Sequence, residues 1–542
     1  MNQQLITLNS SNIPAYQHYY VVSENVSSIS PRAFEGSRET LTDIDFESPY
    51  LKEIGEYAFD QCRFIEVVDL RNCSSLISIG VGAFQRCYYL HTVYINEQLQ
   101  YINYHAFYLC YSLENMVIPI NSSLQIMKEH SIAESKMKYF YIPKNLYEVG
   151  LGNAWFIEKV DVHPENHIFA FNNSCLMNYN QEIVFYCFNT DPNAVIHIPE
   201  TVFGIESYSF ILIQGKKVIF PKILTWMHQF AFHRCQIQYY DFSNVVSISE
   251  IPHNAFELSK IKSLNLSKVS NLEINHRAFL SCYNLETVTI SPSCIYIGQD
   301  SFKFCTKLTK INIPPDSKLQ RIVNFAFAFT NIKEFEISLC IQFIGINVFE
   351  GVPNVVIKCD PNNLYFTIKD GVLFFDKSSI LIWYPPYLRN ETYKIPSHAT
   401  TLRSYCFYKA FYLKELIFPV QLTKILQHAI CCTNITEIKL PPLVSSVEMY
   451  AFANNQMLKT VDFGETIKFI PKFVLSDCIN LKYIYIPPSV TYVRQKAFEN
   501  CRSLQCVSCG KHLVNLLSQQ IPLRIIRVDG RCSFNDDEII VI

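Results

Sequence analysis

The sequence predicts a β-rich repeat solenoid, and three observations carry that prediction. A short motif written A-F-x-x-C recurs through most of the 542 residues, at steps of 22 to 25. Each copy is followed by an L-x-x-V-x-I segment, whose alternation specifies a short strand with one buried face. Residues 163–210 also align with residues 360–407 at a constant offset of 197, without a gap. A period of this length marks a stacked array, in which no copy buries its apolar face alone.

The motif is explicit in YAFDQC (57–62), GAFQRC (82–87), HAFYLC (105–110), FAFHRC (230–235), RAFLSC (277–282) and KAFENC (496–501). Registering the chain on the Phe position gives eighteen units from Phe34 to Phe498, with Ile132, Trp155, Ile430 and Val474 taking the place of Phe. An aliphatic residue or Met five places earlier, as in Ile54, Ile79, Ile102 and Met127, marks a second short extended stretch on the return path. Ala, or less often Ser, stands immediately before the slot. A small residue at a tight corner then sits beside a large one that fills the interior, and each Phe is expected to lie on the Phe of the next copy.

The L-x-x-V-x-I strand follows, for example Leu90-Val93-Ile95 and Leu481-Ile484-Ile486. Pro comes directly after it at Pro143, Pro199, Pro221, Pro314, Pro396, Pro419, Pro441 and Pro487. Pro ends the strand because it cannot donate the next ladder hydrogen bond.

Two steps are long, and they are the two related blocks. Each contains two apolar runs separated by a polar turn: Ser174–Met177 then Ile183–Phe188, and Gly371–Phe375 then Ile380–Tyr384. That pattern predicts a β-hairpin inserted between copies, at about 163–197 and 360–394. The organisation expected is an N-terminal cap over 1–21, the solenoid over 22–510 and a C-terminal cap over 511–542.

Composition excludes several function classes. Forty-six Lys and Arg against 48 Asp and Glu leave a net charge of −2, without the basic excess of a nucleic-acid protein. Apolar residues are 49% of the chain, so a large core forms rather than a disordered state. Only 15 Gly are present, about 3%, which disfavours glycine-loop cofactor folds. No run of about 18 apolar residues predicts a membrane span, and no secretory signal pattern stands at the N-terminus.

The composite of L-x-x-V-x-I-P, aliphatic-x4-Phe and A-F-x-x-C resembles the BspA-like leucine-rich repeat family, the Treponema-type class of short repeats. Asp370-Gly-Val-Leu-Phe374, followed by Ile380 to Pro385, looks like that family's usual hairpin insert. The earlier copy departs from it, with Asn173-Ser174-Cys175-Leu176 at the same place. The resemblance covers about residues 22–510 and implies a curved, right-handed leucine-rich-repeat array. It also implies a surface antigen or adhesin that engages proteins, including host or extracellular-matrix proteins. The missing signal peptide and anchor keep a cytoplasmic protein-binding scaffold as the alternative.

Chemistry is sparse. The Cys three residues after the Phe slot (Cys62, Cys87, Cys110, Cys235, Cys282, Cys305, Cys501) read most simply as a ladder of small apolar thiols in the core. Cys506-Val-Ser-Cys509 lies in ordinary strand slots, so free core thiols are expected there. A zinc site or a disulfide-locked end cap with Cys501 and Cys532 is the alternative. Cys431-Cys432 reads as two repeat positions. No nucleophile elbow, phosphate loop, kinase signature or H-E-x-x-H motif occurs, and no catalytic, cofactor-binding or metal-ligating residue is assigned. The outward strand positions are more informative. They include Tyr94, Tyr139, Tyr141, Tyr239, Asp241, Tyr483 and Tyr485. Tyr supplies large contact area at low entropic cost, so these residues are the expected protein-binding surface.

Overall fold

The structure is a computed structural model that describes residues 4–151, 156–376, 378–528, 530 and 532. The Trp155 slot and the tail from 533 lie outside the described residues. The chain forms two compact units, Met1–Cys294 with Ser301–Leu308, and Ile295–Asp300 with Thr309–Ile542. Each is a β solenoid of stacked parallel strands, with a single four-residue α-helix, Val514–Leu517, among the described residues.

In the first unit, successive rungs are joined along three lines. The strand predicted from V-x-I forms the first: Val67–Asp69 pairs in parallel with Thr92–Tyr94, with Val68 opposite Val93. The aliphatic residue five places before Phe forms the second, with Ile54 opposite Ile79 and Ile79 opposite Ile102. The Phe turn forms the third. Tyr57, Phe59 and Gln61 donate their N–H groups to the carbonyls of Val81, Ala83 and Gln85, at 2.8, 2.7 and 2.8 Å.

That third line depends on an unusual backbone. Residues two before and two after the Phe slot have positive φ, as at Tyr57 (53°), Gln61 (64°), His105 (57°) and Leu109 (61°). The left-handed conformation costs roughly 1–2 kcal/mol for a residue with a Cβ. Here it turns alternate N–H groups along the stacking direction, where they meet carbonyls of the next rung.

The rings then stack. Phe34–Phe59, Phe59–Phe84 and Phe84–Phe107 have centroids 4.4, 4.9 and 5.3 Å apart and planes within 22°. A second run, Phe210, Phe232, Phe256, Phe279 and Phe302, repeats this at 4.5 to 5.1 Å. All are fully buried, and so are Ala58, Ala83 and Ala106 before them. The ladder thiols lie in the same core. Cys87, Cys110, Cys282 and Cys305 each donate to the Phe carbonyl one rung back, Phe59, Phe84, Phe256 and Phe279, at 3.0 to 3.3 Å. Burial raises the Cys62 and Cys110 thiols to about 12, which leaves them un-ionised and inert.

Pro does more than stop the strand. The carbonyls of Pro199, Pro396, Pro419 and Pro487 accept from Val202, Ala399, Leu422 and Val490, three residues on, at 3.0 or 3.1 Å. The chain is thereby turned toward the return strand. Where the hairpin blocks begin, His163 and Asp360 accept the same turn bond, from Asn166 and Asn363 at 2.9 and 3.0 Å, and the Asn side chain adds to it. Asn166 Nδ2 donates to the carbonyls of Pro143 and Leu146, while its Oδ1 accepts from Ile168 and Phe169. Asn363 repeats the pattern in the second unit with Ser338, Ile341, Tyr365 and Phe366.

Both hairpins are present, and each carries a third strand. Phe169–Asn172, Cys175–Asn178 and Ile183–Cys187 form an antiparallel meander, whose last strand pairs in parallel with Gly204–Ile205. In the second unit Phe366–Lys369, Val372–Phe375 and Ile380–Trp383 do the same, ending against Thr401–Leu402. The insert therefore occupies the return-strand place of a rung. The residue that closes it enters the Phe slot: Tyr384, directly after its strand, donates its N–H to the Cys406 carbonyl at 2.8 Å, and Cys187, the last residue of its strand, donates to the Ser209 carbonyl at 2.7 Å.

Two readings are corrected. Val474 is not in the Phe slot; Leu475 is. Phe452 donates to the Val474 carbonyl and Leu475 to the Ala497 carbonyl, both at 3.0 Å, so Val474 holds the small-residue position. Cys478 is thereby an eighth ladder thiol, donating to Phe452 at 3.2 Å. Nor are all four C-terminal Cys free: Cys506 is disulfide-bonded to Cys532, while Cys501 and Cys509 remain thiols. After strand Cys506–Cys509 the chain passes through Val514–Leu517 and returns as a parallel strand, Ile526–Val528, which brings Cys532 back to that edge. A second disulfide, Cys175–Cys187, staples the first hairpin.

Candidate protein-binding site

The seven predicted surface residues all lie on the V-x-I strands, flanking the buried central residue. They do not converge. Tyr94, Tyr139, Tyr141, Tyr239 and Asp241 belong to the first unit, on three different rungs, and Tyr483 and Tyr485 to the second. Tyr139 is 46% exposed and Tyr239 37%, while the other five are half-buried.

What the strands add is a charged partner for each of the three sites in the first unit. Parallel in-register pairing places Tyr139 beside Lys159 and Tyr141 beside Asp161. Lys159 Nζ lies 5.6 Å from the Tyr139 ring centroid and 2.9 Å from Asp161 Oδ2. The lysine hydrogen bond lowers the Asp161 pKa; burial, helped by Asp161, raises the Tyr139 hydroxyl. Arg71 covers the Tyr94 ring at 4.4 Å and is itself held by Asp69, with Nε–Oδ1 at 2.9 Å. Lys217 and Asp241 pair at 2.7 Å across adjacent strands. Asp241 also accepts from the Ser243 N–H at 3.0 Å, and the Lys217 bond leads in lowering its carboxyl to about 2. Each of the three sites thus sets a tyrosine beside a cation paired with a carboxylate, which presents apolar area and directed hydrogen bonds together.

A second aromatic row was not anticipated from the strand positions. It lies in the segment between the ladder Cys and the strand. Phe64 and Tyr89 stack at 5.8 Å and 16°, and Tyr88 and Tyr111 at 5.6 Å and 17°. Phe64, Tyr89 and Tyr111 are 40%, 53% and 48% exposed. The rungs hold them in register, since Tyr89 donates its N–H to Arg63 of the previous rung at 3.1 Å, and Arg63 lies over the Tyr88 ring. The signal was in the sequence as Arg63-Phe64, Tyr88-Tyr89 and Tyr111, at the fourth and fifth places after Phe. Among the described residues no group of three or more His, Cys, Asp and Glu is placed to hold a metal, and no helix is long and apolar enough to cross a membrane.

The family model described as BspA type leucine rich repeat region (6 copies) matches residues 27–157, 181–273, 246–356 and 387–505. Among solved structures the chain is similar to the pneumococcal vaccine antigen PcpA, at 19% identity over 67% of this chain and 99% of that one, with a TM-score of 0.49. It is also similar to a leucine-rich cell surface protein of Faecalibacterium prausnitzii, at 21% identity over 67% and 95%, TM-score 0.45. A leucine-rich repeat protein of Eubacterium ventriosum gives 23% over 46% and 72%, TM-score 0.42. No curated protein matches the chain.

Proposed function

The chain belongs to the BspA-type leucine-rich repeat family, and we propose that it is a non-catalytic protein-binding scaffold of the surface antigen or adhesin kind. It engages host or extracellular-matrix proteins through the strand face and the aromatic row beside it. The observation that carries this reading is the row itself. Phe64, Tyr88, Tyr89 and Tyr111 form stacked pairs at the surface, where a purely structural repeat would place polar residues. Stacked and pre-ordered, these rings lose little entropy on binding, which suits them as interface anchors.

Two disulfides, Cys175–Cys187 and Cys506–Cys532, support an oxidising compartment. The ladder thiols survive there because burial keeps them protonated. The second reading, a cytoplasmic scaffold using the same face, draws on the sixteen cysteines that lie outside the two disulfides.

The test is a binding panel of immobilised fibronectin, laminin and collagen, with the full chain as analyte. Wild type is expected to bind at least one of them, and Phe64→Ser with Tyr89→Ser to weaken that binding about tenfold or more. Equal binding by the folded double variant would remove the row from the reading. Failure of wild type on the whole panel would count against the matrix-adhesin role.

A further inference from the structure

The adjacent pair Cys431-Cys432 stands apart from the other thiols. Cys431 takes the place after the Ile430 slot and is buried at 2% exposure, whereas Cys432 takes the left-handed place after it, with φ of 58°, and is half-buried. Their sulfurs are 3.3 Å apart. Around them, Lys409 occupies the same left-handed place one rung earlier, and its ammonium is 3.4 Å from Glu350. Asn454 occupies it one rung later.

From this geometry we propose that Cys431 and Cys432 form a dithiol modification site that exchanges with small disulfides, with Cys432 as the attacking thiol and Cys431 as the resolving one. The Cys432 thiolate attacks one sulfur of an oxidised low-molecular-weight disulfide and releases one thiolate. Cys431 then loses its proton, attacks the Cys432 sulfur of the mixed disulfide and releases the second thiol. The sum is two protein thiols and one small disulfide converted to one protein disulfide and two small thiols.

Three features favour that order. Only Cys432 of the two is open to a reagent. The Cys431 hydrogen bond, with Lys409 nearby, lowers the Cys432 pKa, although burial and Glu350 oppose this; the same bond and burial raise that of Cys431. Cys431 is already at van der Waals distance from the sulfur it would attack. The product is a strained link, because adjacent Cα atoms are about 3.8 Å apart, below the usual range for a disulfide. Strained disulfides are the readily reduced ones, so the modification is reversible. Closing the ring also pulls on two rung-to-rung bonds, Lys409 N–H to Cys431 O and Cys432 N–H to Ala453 O.

The experiment treats the full chain with oxidised glutathione, blocks remaining thiols with an alkylating agent, and maps the 431–432 peptide by mass spectrometry. Wild type is expected to lose two hydrogens there, without adduct or alkyl label, and to recover both thiols with reductant. Cys431→Ser is expected to stop as a glutathione adduct on Cys432, and Cys432→Ser to leave Cys431 unmodified. Modification at Cys432 should outpace that at the buried Cys87 and Cys110 by roughly tenfold or more. A wild-type protein that stops at the adduct, or whose two thiols stay fully alkylatable, overturns the proposal without reference to either variant.

Discussion

Phe279 and Phe302 lie one rung apart with ring planes within 2° and centroids 5.1 Å apart, both fully buried. Truncating one leaves a gap that its neighbours on both sides cannot fill, because each is fixed by its own rung. Phe279→Ala is therefore expected to cost about 3–5 kcal/mol locally. Limited proteolysis should show new cleavage around residues 256–302. Unchanged protease and thermal stability would contradict the ring ladder as the core.

Leu475 and Val474 separate two registers. With Leu475 in the large slot, Leu475→Ala should cost about 2–5 kcal/mol. Val474→Ala should cost less, since the position is the one Ala fills in the neighbouring rungs. Thermal melts of the two variants would read the difference, and the reverse order would restore Val474 to the slot.

The turns of the two hairpins predict a stabilising change. Asn173-Ser174 and Asp370-Gly371 both have positive φ at both residues, 48° and 63°, and 51° and 77°. Such two-residue turns favour Gly at the second place. Ser174→Gly should stabilise the first hairpin by about 1 kcal/mol, seen as slower amide exchange over residues 169–187. Faster exchange would show that Ser174 contributes something the backbone does not require.

Asp241 gives a pH dependence of definite sign. Its carboxyl is lowered from 3.8 to about 2, chiefly by Lys217. The stabilisation is fully present above the unfolded value near 3.8 and is lost as pH falls through about 2. Because the pair is partly exposed, its worth is on the order of 1 kcal/mol or less. The melting-temperature gap between wild type and Asp241→Asn should thus be largest at neutral pH and shrink below about pH 4. A gap that widens on acidification would refute the pairing.

The stack was legible because each rung repeats the same demand: small residue, large ring, aliphatic strand. Misreading arose where one rung offers Phe473-Val474-Leu475, three apolar residues for two buried places. Cys478, three residues after Leu475, resolves it. The disulfide Cys175–Cys187 was hidden because no pairing rule connects two Cys twelve apart. At the offset of 197 they correspond to Val372 and Tyr384, both fully buried, so one covalent pair replaces one packed pair. The exposed row of Phe64 and Tyr89 escaped a reading confined to strand positions, since outward rings leave no mark on the core pattern.

The most direct test of the surface-scaffold account is labelling of intact, unpermeabilised source cells with a membrane-impermeant biotin reagent, followed by antibody detection of this chain. The account predicts labelled protein on intact cells, with Cys175–Cys187 and Cys506–Cys532 oxidised in the labelled pool. Label that enters the protein only after permeabilisation, with those four cysteines reduced, would contradict it.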